Sequence, residues 1–151
     1  MSQVQAMWVH GAAVQPEREG YFVTRRNYKT GALFKTHGAE WFHFAVPTPV
    51  LVNSDRGKLV KCFVLFETGS GAKITDVEVY DGEKKIADFS GLSLSGKHTT
   101  SVDSKNSWTI SPAKDLVFGV SICVRVDFGP AQTGSVPAIR FASAGIDVLT
   151  S

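Results

Sequence analysis

The sequence predicts an all-β fold, an antiparallel β-sandwich with jelly-roll or Greek-key connections. Apolar and polar residues alternate with period two along nearly the whole chain, and clusters of Gly, Pro, Asn, Asp and Ser interrupt the alternation at short intervals. No stretch sustains the i, i+3, i+4, i+7 spacing that an amphipathic helix requires. The 151 residues are 43% apolar and 11% aromatic, and ten phenylalanines suit the interior between two packed sheets. That length matches one domain, expected to span residues 1–151.

In chain order, strands are expected at 6–14, 21–25, 33–35, 41–46 and 58–67, with loops at 15–20 and 47–57. In strand 41–46, Phe42, Phe44 and Val46 share one face, and Trp41, His43 and Ala45 share the other. A short turn at 69–71 leads to a hairpin over 74–89 with Asp81-Gly82 at its tip, an Asp-Gly pair being suited to the positive-φ backbone of a tight connection. Val77 and Val79 of that hairpin point one way, Asp76, Glu78 and Tyr80 the other. A polar loop at 91–106 precedes a strand at 107–110. The clearest strand is 118–128, where Phe118, Val120, Ile122, Val124, Val126 and Phe128 form an apolar face, with Ser121, Cys123, Arg125 and Asp127 opposite. A loop at 129–137 and a strand at 139–148 complete the pattern.

Charge and cysteine usage narrow the function. Sixteen basic and fourteen acidic residues give a net charge of +2, and the basic residues are dispersed, so no footprint for nucleic acid is visible. The first ten residues lack a basic segment followed by an apolar run, and no stretch approaches the length needed to span a bilayer. No membrane partner and a cytoplasmic location are therefore expected. In a reducing compartment Cys62 and Cys123 stay unpaired, each acting as a small hydrophobe in a strand; the alternative is a cross-sheet disulfide between them.

The segment Thr36-His37-Gly38-Ala39-Glu40-Trp41-Phe42-His43-Phe44 carries two of the four histidines, a carboxylate and a tryptophan. The phenylalanines take the core, which leaves Trp41 and His43 on the outer surface. If the strands are neighbours, that surface also displays Asp76, Glu78, Tyr80, Arg125 and Asp127 as a shallow aromatic and polar face of the kind that holds a small ligand. The alternative is purely structural, with buried rings and cross-strand charge pairs.

The spacing His37-x-x-Glu40-x-x-His43 resembles a metal ligand set, but an extended backbone separates His37 from His43 by about 20 Å and turns Glu40 away from His43. No metal and no cofactor are expected. His98 lies in a polar loop and reads as a solvated residue. Nucleophilic catalysis finds no local support: there is no Gly-x-Ser-x-Gly elbow, and Lys61, the only basic neighbour of a cysteine in sequence, projects to the opposite strand face from Cys62.

The segments Trp8-Val9-His10-Gly11 and Thr36 through His43 resemble those of a small bacterial single-domain β-sandwich family of unknown function. That resemblance implies a compact β domain and brings no activity or site residues with it. Jelly-roll carbohydrate-binding modules are a looser analogy at the level of fold.

The leading expectation is a β-sandwich that binds a small molecule or glycan, with Trp41 as stacking platform and Tyr80, His43, Asp76, Glu78 and Arg125 as polar contacts. A second is a cofactor-independent lyase, isomerase or cyclase in which His43 works with Asp76, Glu78 or Asp127 in acid–base catalysis. A third is a toxin-like or protein-interaction module that uses an exposed sheet edge or face.

Overall fold

The computed structural model describes residues 2–18, 20, 22–131 and 134–150. Tyr21, the expected start of a strand, and residues 19, 132 and 133 of the expected loops lie outside them. Apart from one 3-10 turn at Gly11–Ala13, the described elements are strands, and every pairing between them is antiparallel.

The strands are β1 (Gln3–His10), β2 (Gln15–Pro16), β3 (Thr24–Tyr28), β4 (Gly31–Lys35), β5 (Gly38–Val46), β6 (Leu51–Val52) and β7 (Asp55–Arg56). They continue with β8 (Lys58–Gly69), β9 (Lys73–Asp81), β10 (Lys84–Phe89), β11 (Lys97–His98), β12 (Ser107–Asp115), β13 (Val120–Gly129) and β14 (Ala138–Thr150). One sheet runs β11-β8-β14-β4-β3, with β1 also on β14 and β12 also on β8; the other runs β10-β9-β13-β5-β2. Neighbours such as β13 and β5 are far apart in sequence, while the chain passes from one sheet to the other between β4 and β5, β8 and β9, and β13 and β14. This crossing between two packed sheets is what the turn-punctuated alternation implied.

The core follows from the period-two faces. Phe42 and Phe44 of β5 are fully buried, as are Val77 and Val79 of β9 and Ile122, Val124 and Val126 of β13. They meet Phe34 of β4 and Phe141 of β14 from the opposite sheet. Ring centroids lie 4.7 Å apart for Phe34 and Phe42, 5.0 Å for Phe42 and Phe141, and 5.4 Å for Phe44 and Phe141. Inclined rings at such spacings combine area burial with favourable aromatic geometry.

Several boundaries differ from the sequence expectation. Strand 6–14 ends at His10, whose Nδ1 accepts the Ala12 N–H and caps the 3-10 turn, so the chain leaves the first sheet there and reaches the second at β2. The loop 47–57 contains the small β6-β7 hairpin, and the loop 91–106 contains β11. At the hairpin tip, Lys84 pairs with Asp81, so the two linking residues are Gly82 and Glu83, with Gly82 at φ +60°. Asp81 instead closes the strand, and its buried carboxylate accepts the N–H groups of Val117, Phe118 and Gly119 at 3.0, 2.8 and 3.0 Å. Those bonds hold residues 117–119 in a turn. Phe118 therefore stands outside β13 and is 80% exposed, not part of the apolar face expected for strand 118–128.

Candidate functional site

The outer face of the second sheet carries the candidate residues because of its register. Opposite Cys123 of β13 lie His43 of β5 and Glu78 of β9; opposite Arg125 lie Trp41 and Asp76; opposite Ser121 lie Ala45 and Tyr80. The central strand thus presents small side chains, Ser121 and Cys123, between the taller Trp41 and Tyr80. A floor lower than its walls is a depression. The resulting cavity, of about 440 Å³, is lined by Glu17, Trp41, His43, Glu78, Tyr80, Gly82, Ser121 and Cys123.

Expected neighbours are brought together here, and others are drawn away. Trp41, His43, Glu78 and Tyr80 line the cavity. Arg125 is not in its lining: its Nη1 donates to Thr75 Oγ1 at 2.8 Å and stands 3.9 Å from Asp76 Oδ2. Asp76 in turn accepts the Thr75 hydroxyl at 2.7 Å. Asp127 lies at the far end of the face, opposite Ala39 and Lys73, where its carboxylate accepts the Gly129 N–H at 2.9 Å. Neither aspartate serves as the carboxylate partner of His43.

That partner is Glu17, which falls in the segment 15–20 expected as a loop. Just past β2 the Glu17 N–H donates to the Trp41 carbonyl at 2.9 Å, and Glu17 Oε1 sits 3.3 Å from His43 Nε2. On the other side of the ring, His43 Nδ1 lies 3.1 Å from Cys123 Sγ. A carboxylate only accepts, so the tautomer that suits this contact carries its hydrogen on Nε2 toward Glu17 and leaves Nδ1 to accept the Cys123 S–H. A thiol, an imidazole and a carboxylate therefore stand in series among the residues that line the cavity, starting from its floor.

Burial raises the Cys123 thiol pKa; the Ser121 hydroxyl works against the rise, and the charges of Glu78 and Glu17 add to it. Cys123 is buried as the sequence implies, but it borders the cavity on the outer face of β13 and does not join the core cluster. Cys62 sits on the inner face of β8, fully buried, and desolvation pushes its pKa up to about 12. Both cysteines are free.

Glu78 bonds Lys85 Nζ at 3.2 Å, and Lys85 also bonds Asp88 at 3.0 Å. First the hydrogen bond to Asp88 and then that to Glu78 push the lysine above its ordinary value. His10, His98 and Glu40 serve the fold. His10 Nε2 lies 2.9 Å from the Lys29 carbonyl, and His98 contacts the Ser95 carbonyl at 2.8 Å and Asp103 at 3.2 Å. Glu40 is buried on the opposite face from His43, accepting from Arg18 Nε at 3.0 Å and from the Trp41 N–H at 2.9 Å. Among the described residues, no group of three or more His, Cys, Asp or Glu side chains is arranged to hold a metal ion. No helix among them is long and apolar enough to cross a membrane.

The chain belongs to a family of unknown function, DUF6623, matched over residues 1–148. No curated protein matches it. Among solved structures it is similar to the CBM36-1 domain of a multidomain xylanase from the hindgut metagenome of Trinervitermes trinervoides. The identity is 11% and the TM-score 0.35, over 97% of this chain and 95% of that one.

Proposed function

We propose that the protein is a small-molecule-binding β-sandwich, one domain over its 151 residues, whose cleft takes a neutral, polyhydroxylated ligand such as a sugar. The observation that carries this reading is the depression over Ser121 and Cys123 with Trp41 and Tyr80 among its walls. Aromatic faces suit the C–H surface of a sugar ring, and a few convergent polar groups fix its orientation. The carboxylates of Glu17 and Glu78 accept hydroxyl hydrogens. Among the described residues no Lys or Arg lines the cavity, so a phosphate or carboxylate ligand would meet like charge without a counterion.

Calorimetric titration with neutral mono- and disaccharides tests it. Saturable binding of at least one sugar is expected, weakened about tenfold or more in Trp41→Ala, a loss of roughly 1.4 kcal/mol or more. Failure of the whole panel, or a preference for quaternary ammonium or anionic ligands, would overturn the reading.

A further inference from the structure

The series Cys123, His43 and Glu17 asks for more than hydrogen bonding to a sugar. A cysteine serving only as a floor for the cleft needs no imidazole at 3.1 Å whose far nitrogen faces a carboxylate at 3.3 Å. The order is that of an activated nucleophile: the thiol to attack, the ring to take its proton, the carboxylate to hold the ring in the accepting tautomer. We propose that Cys123 adds reversibly to the aldehyde carbon of a polyhydroxy aldehyde bound in the cleft. This proposal rests on the sugar-binding reading and names the ligand more closely.

The step balances without a further reactant. Sγ forms a bond to the carbonyl carbon, and the π pair of the carbonyl moves to oxygen. The S–H proton passes to His43 Nδ1 and from there to the new hydroxyl, giving a hemithioacetal. No leaving group departs, and nothing is oxidised or reduced. Glu17 is a positioning residue, since it acts through the ring.

The surroundings favour an aldehyde over an ester or thioester. Acyl transfer accumulates an oxyanion that needs preorganised donors. Among the described lining residues are two carboxylates and no Lys or Arg, and the nearby Gly82 N–H is already donated to the Gly119 carbonyl at 2.9 Å. Addition to an aldehyde returns the proton to oxygen and avoids that requirement. Because burial keeps the free thiol protonated near neutral pH, the proton leaves for His43 as the ligand arrives.

Iodoacetamide labelling read by peptide mass spectrometry tests the proposal, with Cys62 as the internal reference. Near neutral pH, Cys123 in the folded protein should be alkylated about tenfold or more faster than Cys62. Glyceraldehyde should protect it, and glycerol at the same concentration should not. Isotope-labelled glyceraldehyde should give a protein-bound hemithioacetal resonance by NMR that is absent in Cys123→Ser. His43→Gln should slow alkylation about tenfold or more, and Glu17→Gln should move the pH at which the rate is half-maximal, with circular dichroism unchanged in both.

Equal labelling of the two cysteines, or no protection by glyceraldehyde, overturns the proposal; the glyceraldehyde and glycerol comparison needs no variant and decides even if His43→Gln fails to fold. Protection by glycerol equal to that by glyceraldehyde removes the covalent step and leaves the sugar-binding reading standing. Failure of both probes together with failure of the sugar titration removes both.

Discussion

The two outer faces of the sandwich each carry a tryptophan at a strand position, and they use it in opposite ways. On the first sheet, Trp8 pairs with Gly145 of β14, which pairs in turn with Phe63 of β8. The missing side chain lets the indole lie down, stacked on Phe63 at 5.0 Å with planes 23° apart, and Lys61 Nζ covers that phenylalanine at 5.6 Å. On the second sheet, Trp41 pairs with Arg125, and the small residues lie in the adjacent rows beside it. There the space stays open as a cleft. A tryptophan on a sheet surface is a packing residue or a recognition residue according to whether its neighbours let it lie flat.

Both faces depend on the core between them, so the largest effect comes from removing that common support. Phe44→Ala should cost about 3–5 kcal/mol, as expected for a fully buried ring, and denaturant unfolding measures it. A cost below ~0.5 kcal/mol would mean that the sheets are not joined through this cluster.

Alkaline pH sharpens the contrast between an inner and an outer cysteine. Cys62 is raised from 9.0 to about 12 in the folded protein. The unfolded chain therefore loses this proton first as pH rises, and stability that is full below pH 9 declines up to about pH 12. The contribution is on the order of 4 kcal/mol. Unfolding measured across that window should show a shallower decline in Cys62→Ala, whatever its stability at neutral pH. Equal slopes would contradict the burial of this thiol.

Gly145→Ala breaks the packed face alone. An added Cβ would stand 2.5 Å from Trp8 Cδ2 and 2.9 Å from the Met7 carbonyl oxygen, so the indole must lift away. A loss of about 1–3 kcal/mol is expected, with sugar affinity unchanged. Trp41→Ala is the reciprocal test and the smallest in stability: the thermal midpoint should stay within a few degrees while sugar affinity falls about tenfold or more. If Trp41→Ala unfolds the protein, its ring is a packing element like that of Trp8.

The faces themselves were legible in the sequence. Alternation separated Phe42 and Phe44 from Trp41 and His43, and Val77 and Val79 from Glu78 and Tyr80, because the strand period is a local property. Register is not local. Nothing in the sequence around Cys123 announces that His43, eighty residues earlier, stands across the ladder from it. Glu17 was missed for a related reason: a strand of two residues ending in Pro16 carries too little pattern to be seen, yet it sets the carboxylate beside the imidazole. Phe118 misled through apolarity alone, since the carboxylate that turns its backbone away from the strand belongs to Asp81 on a different hairpin.

The most direct test of the ligand-binding cleft is a map of amide NMR shifts during titration with the sugar that binds best by calorimetry. Perturbations should gather at Glu17, Trp41, His43, Glu78, Tyr80, Ser121 and Cys123, leaving Trp8, Phe63 and Gly145 unmoved. Shifts centred on Trp8 and Gly145 instead, or spread over both faces alike, would contradict it.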